Sequence, residues 1–126
     1  MHEVALVVGV ALAGAVGAPA RFVLERVVRA RWPGQWPWGT FLVNVSGSLA
    51  LGLVVGVVLA HGVDADVRTV VGTGFLGAYT TFSTYAYETV RVGTAPRRGL
   101  AAGYALGSVA ASVLAAALGL VIAGAW

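Results

Sequence analysis

Four apolar runs of about 25 residues each, Val4 to Val28, Trp36 to Ala60, Val67 to Val92 and Gly99 to Ala125, occupy almost the whole chain. About 20 helical residues cross the ~30 Å hydrocarbon core of a bilayer, so each run is long enough to span with some tilt. The connections are short: Arg29 to Gln35 with Pro33-Gly34, His61 to Asp66, and Gly93 to Arg98 with Pro96. The pattern predicts an all-α membrane protein, a single four-span domain over residues 1–126. No length remains for a separate soluble domain, so function has to reside in the bundle. Only 10% of residues are charged, against about a quarter in a soluble domain.

The charges that are present lie mostly between the spans. All eight basic residues are arginine. In a soluble chain a net charge of +3 would suggest nucleic acid; here the arginines read as determinants of topology. The first and third connections and their flanks hold Arg26, Arg29, Arg31, Arg91, Arg97 and Arg98, and the other side holds only Arg68. The positive-inside rule then places both termini outside and those two connections in the cytoplasm. Trp32, Trp36, Trp38 and Trp126 stand at span ends, where indole rings favour the membrane interface. Ala18-Pro19-Ala20 resembles a signal-peptide cleavage site, but His2 and Glu3 provide no fixed positive charge before the apolar run. The first run is expected to be a retained helix.

Small residues recur at every fourth position: Ala5, Gly9, Ala13 and Gly17 in the first span, and Gly99, Gly103, Gly107, Ala111, Ala115 and Gly119 in the last. Such stripes let helix backbones approach closely in lipid, and their density implies a tight bundle and an oligomer.

Polar groups at bilayer depth are expensive and mark candidate sites. The second span carries Thr40, Asn44 and Ser48 at four-residue spacing, and the fourth carries Tyr104, Ser108 and Ser112 in the same way. Interhelical hydrogen bonding is one reading of each set; a track of donors is the other. In the third span Gly72, Gly74 and Gly77 precede Thr80-Thr81-Phe82-Ser83-Thr84-Tyr85, with Glu88 following. Glycine and β-branched threonine are poor helix formers, so this helix is expected to break mid-membrane. A break at that depth is tolerated only against protein or a water-filled cavity, and its freed carbonyls suit a small cation. Arg21 can either snorkel to the interface or concentrate anions at a vestibule. Glu88 can cap its helix or pair with an arginine. His2 and His61 have no second ligand at metal spacing, and the absence of cysteine removes thiolate sites and thiol chemistry. No phosphate-binding loop, H-E-x-x-H or G-x-S-x-G motif is present, and no second intramembrane acid or histidine accompanies Glu88. The chain is not expected to be an enzyme.

Three segments, GAPARF from Gly17, GTFLVNVSGSLALG from Gly39 and GFLGAYTTFSTYAYE from Gly74, resemble the Fluc (CrcB) family of fluoride channels. The resemblance implies a passive channel of the bacterial inner membrane that exports cytoplasmic fluoride and relieves its toxicity. It further implies an antiparallel dimer with two pores and one structural sodium ion at its centre. The sodium would be held by the backbone carbonyls of Gly77 and Thr80 from each subunit. The pore would be lined by Asn44, by Phe82 and Tyr85 as an aromatic box, by Tyr104, Ser108 and Ser112 as a polar track, and by Thr40, Ser83 and Thr84. Arg21 would serve the vestibule. Tyr85 stands where the family has phenylalanine, and Ala78 where glycine is usual. The partner is then a second copy in a homodimer or an oppositely oriented homologous subunit, and the one-sided arginines, which argue against insertion in both orientations, suggest one half of such an oppositely oriented pair. Two other readings compete. A small four-span multidrug or cation transporter expects a carboxylate in the middle of the first span, where only Glu25, near its end, is available. A non-conducting assembly subunit would use the polar residues for packing alone.

Overall fold

The computed structural model describes residues 1–94 and 97–124; Pro96, Ala125 and Trp126, which bear on the third connection and the end of the last span, lie outside them. The described residues are all-helical. Helices α1 (His2–Arg31), α2 (Trp38–His61) and α6 (Arg98–Gly124) are each long and apolar enough to cross a membrane. Between α2 and α6 runs a bent helix. Its first part joins α3 (Ala65–Val67), a π-helical stretch (Arg68–Leu76) and α4 (Gly77–Tyr79); its second part is α5 (Ser83–Thr94).

Local chemistry sets the boundaries. Pro19 lies inside α1 without ending it, a position at which neighbouring groups in a membrane bundle can satisfy the freed carbonyl. Pro37 precedes α2 as the centre of an inverse γ-turn, φ −78° and ψ 72°, closed by the Trp38 N–H donating to the Trp36 carbonyl at 2.9 Å, and the helix itself starts at Trp38, leaving Trp36 in the connection. α2 stops at Gly62, whose left-handed φ of 66° suits glycine at a helix C-terminus. Asp64 then caps α3, its Oδ1 accepting the Asp66 N–H at 2.9 Å.

The helices alternate in direction. At one end of the molecule His2 Nε2 meets Asp66 Oδ2 at 2.6 Å, and His61 Nε2 lies 2.7 Å from the Ala123 carbonyl. At the other, Trp36 packs on Tyr104 and Gly93 faces Ala101. Small residues govern the tightest crossings. A Cβ on Gly52 would fall on the Ala116 carbonyl, and one on Gly119 on the Leu49 carbonyl, so α2 and α6 touch backbone to backbone. Gly17 stands in the same relation to the Phe75 carbonyl, and Ala13 lies against Gly74, which seats the first-span stripe on the π-helical stretch. The last-span stripe divides its work: Gly103 and Gly107 lie beneath the Trp36 indole, and nothing stands within 4 Å of a Cβ on Gly99.

Few large side chains are fully enclosed, Tyr104 and Val43 being the most deeply buried. Leucines and valines along α1 and α6, including Val7, Leu12, Val16, Leu114 and Leu118, point outward. That distribution would be untenable in water but suits a helix bundle whose exterior solvent is hydrocarbon.

Candidate functional site

The site forms where the third helix bends. The last helical turn closes with the Thr80 N–H and hydroxyl both donating to the Leu76 carbonyl, at 2.9 and 2.8 Å. Thr80 then turns extended, with ψ 160°, and helical pairing resumes at Ser83. Two donors that would have continued the α-helical ladder are diverted. The Thr81 N–H, which would pair with Gly77, donates to Asn44 Oδ1 at 2.8 Å, and Asn44 Nδ2 returns a bond of 2.8 Å to the Thr81 carbonyl. The Thr84 N–H, which would pair with Thr80, donates at 3.1 Å to the Thr81 hydroxyl, which therefore caps α5. The Gly77 and Thr80 carbonyls are thereby released from the ladder. These are the two carbonyls expected to bind a cation, and carbonyl oxygens freed by an unwound membrane helix have the chemistry for one. Gly77 is exposed. The Thr80 carbonyl accepts Arg21 Nη1 at 3.2 Å and keeps a second lone pair.

The bend opens into a groove of about 410 Å³. Seven of the expected residues line it: Asn44, Gly77, Thr80, Phe82, Tyr85, Ser108 and Ser112. Ser48 and Thr81 join them. Phe82 and Tyr85 lie with ring centroids 5.7 Å apart, tilted by 48°. The Tyr85 hydroxyl does not open into the groove; it donates to the Ala105 carbonyl of α6 at 2.8 Å, leaving the ring edges as that residue's offering. Tyr85 also contacts Tyr104, centroid to centroid 5.6 Å.

Tyr104 and Thr40 are not groove residues but are buried beside it, 0% and 2% exposed. The Ser108 hydroxyl is enclosed and has no hydrogen-bond partner, and the enclosed Tyr104 hydroxyl has only the Thr40 side chain beside it, outside close hydrogen-bonding geometry. Ser83 and Thr84 stay with the Thr81 hydroxyl, at 3.4 and 3.1 Å. Arg21 serves the bend through Thr80 and lines neither the groove at the bend nor the cavity at the arginine-rich end.

A second cavity of about 440 Å³ lies at the end of the bundle where the arginines collect, lined by Arg29, Arg91, Glu88, Thr40 and the tryptophans Trp32, Trp36 and Trp38. Of the two roles open to Glu88, the geometry shows the pairing: Arg91 Nε donates to its Oε2 at 2.8 Å. That carboxylate is 7% exposed and is neutralised where it stands. Sequence reasoning did not single out Thr81 or Trp36 as site residues. Thr81 carried a readable signal, a threonine three residues before Thr84 at the start of a helix; Trp36 read only as an interface anchor.

Comparison with known proteins places this geometry in context. Residues 8–120 match the model of a family described as CrcB-like protein, Camphor Resistance (CrcB). A protein of Leifsonia xyli named fluoride-specific ion channel FluC 1 is 44% identical over 119 residues, covering 94% of this chain and 87% of its own. A Frankia casuarinae protein of the same name is 46% identical over 114 residues, covering 86% and 88%. A Moorella thermoacetica protein named fluoride-specific ion channel FluC 2 is 44% identical over 111 residues, covering 88% and 90%.

Proposed function

The chain belongs to the CrcB-like family, and from that premise we propose that it is a fluoride-selective passive channel that lets cytoplasmic fluoride leave the cell. The observation that carries the reading is the Ser108 hydroxyl, enclosed and unpartnered on the wall of the groove, with the Tyr104 hydroxyl one helical turn before it and only the Thr40 side chain beside that hydroxyl. A buried donor without a partner costs about 1–3 kcal/mol, and such groups call for a guest. An anion, which only accepts, satisfies such a donor. Asn44, which keeps a second hydrogen on Nδ2, and Phe82 and Tyr85, whose ring edges are positive, line the groove together with Ser108. Fluoride is small and tightly hydrated, so a pore that passes it has to replace water by close-set donors without a cation that would trap it. The nearest guanidinium on the bend, that of Arg21, is occupied with the Thr80 carbonyl.

The working unit in this reading is an antiparallel dimer in the bacterial inner membrane. Two features support it. The Phe82 ring is 78% exposed at the bend, so a pore wall built from this chain alone is open on one side. The freed carbonyls of Gly77 and Thr80 also supply only two oxygens. A sodium ion at the dimer centre would take the same pair from each subunit and supply positive charge that holds the bends together. The arginine asymmetry favours a homologue of opposite bias as the second subunit. The channel reading is preferred to a small multidrug transporter because Glu25 lies at the arginine-rich end of α1, beside Arg26 and Arg29.

Liposomes loaded with fluoride test the reading. Efflux through the wild-type protein should fall by about tenfold or more in Phe82→Ile, which keeps apolar bulk and removes the ring edge; a change of tenfold corresponds to about 1.4 kcal/mol. Efflux unaltered by that substitution would remove the aromatic box from the mechanism.

A further inference from the structure

Trp36 stands in the connection before α2, yet its indole is drawn into the bundle. Its ring meets Tyr104 edge-on, centroids 5.5 Å apart at 89°, and lies over Gly103 and Gly107, where an added Cβ would be 3.9 Å from the indole. Its Nε1–H is enclosed and has no hydrogen-bond partner. Trp32 and Trp38, by contrast, are 52% and 41% exposed, as tryptophans at a membrane interface usually are. An indole N–H is a donor only, and when buried it normally finds an acceptor. Trp36, Tyr104 and Ser108 thus bring three enclosed donors to one face of α6; Trp36 and Ser108 have no partner and Tyr104 has only the Thr40 side chain beside it. Trp36 and Tyr104 are in ring contact, and Ser108 follows one helical turn after Tyr104. Trp36 also lines the cavity that holds Arg29 and Arg91, where the acid that would repel an anion, Glu88, is paired.

We infer that the Trp36 indole N–H is a further donor to the permeating anion, stationed between the arginine-lined cavity and the Tyr104 hydroxyl. The inference rests on the channel reading and extends the donor series outward by one residue. An anion arriving in the cavity meets a neutral donor before it reaches the buried hydroxyls. Neutrality matters because a hydrogen bond from an uncharged N–H holds fluoride more weakly than a guanidinium does, so the ion passes on.

Indole 15N–1H spectra of the purified protein, titrated with sodium fluoride against sodium gluconate at equal ionic strength, test this directly. The Trp36 resonance is identified by its loss in Trp36→Phe. It should move downfield with fluoride and stay in place with gluconate. Fluoride efflux through Trp36→Phe, which keeps an aromatic ring on Gly103 and Gly107, should fall by about tenfold or more, as loss of one hydrogen bond to a charged group implies. A Trp36 resonance that ignores fluoride while wild-type efflux is intact would overturn the inference and leave the channel reading in place. So would undiminished efflux through Trp36→Phe. Absence of efflux through the wild type would instead sink the channel reading, and this inference with it.

Discussion

At Tyr85 the hydroxyl and the ring have separate duties. The hydroxyl donates to the Ala105 carbonyl, and this fixes the ring against α6 with one edge left toward Phe82 and the groove. The oxygen that distinguishes Tyr85 from phenylalanine is bound to the backbone of a neighbouring helix. Tyr85→Phe should consequently leave fluoride efflux within about threefold of wild type while lowering stability by about 1 kcal/mol, the typical worth of one such bond. Denaturant titration alongside efflux checks both halves. A large change in efflux with no change in stability would mean that the hydroxyl, not the ring, meets the ion. Ala78, the other departure, sits near Gly14 of α1: a Cβ on Gly14 would lie 3.7 Å from the Ala78 methyl, an ordinary contact.

Among the elements, the bent third helix depends on a partner far away in sequence. Asn44 on α2 pairs with both backbone groups of Thr81, and this two-way bond stands in for the ladder the bend gives up. Thr81 is 7% exposed, so water does not easily replace it. Asn44→Ala should cost about 2 kcal/mol of stability, because it leaves a buried N–H and C=O unsatisfied, and it should abolish fluoride efflux. Retention of wild-type stability in that variant would show that the bend is held by other contacts. A departure from a straight helix was legible beforehand in the threonines, since weak helix propensity is a local property, but Gly72, Gly74 and Gly77, expected to help break the helix, stay helical, and the helix lapses only over residues 80–82. The π-helical register of 68–76 was not legible, because the Gly77 N–H reaching back to the Gly72 carbonyl leaves no residue-type signature. Nor could spacing along one span show that Asn44 pairs with Thr81 across 37 positions. The four-residue spacing of Thr40, Asn44 and Ser48 gave their shared face, but the groove takes Asn44 and Ser48 and leaves Thr40 to the second cavity. Gly103 and Gly107 belong to a regular stripe in sequence, and only tertiary structure reveals that they receive an indole rather than a helix.

At the scale of the whole molecule, the arginines direct orientation and with it the choice of partner. Six arginines lie in or beside the first and third connections and one on the opposite side, a bias that should direct the chain into the membrane one way up. Reporters of cytoplasmic and external exposure fused to each terminus, with the chain expressed alone, should place both termini outside in nearly every copy. Equal populations of the two orientations would show that the chain can build an antiparallel pair from itself. Reconstitution from detergent bypasses cellular insertion, so the protein enters liposomes both ways up and can be assayed for conduction directly. The decisive measurement is efflux of fluoride and of chloride from the same liposomes containing the purified wild-type protein, followed with ion-selective electrodes. Fluoride should leave rapidly and chloride should stay. Vesicles that retain fluoride, both with this protein alone and with an oppositely oriented homologue added, would contradict a fluoride channel.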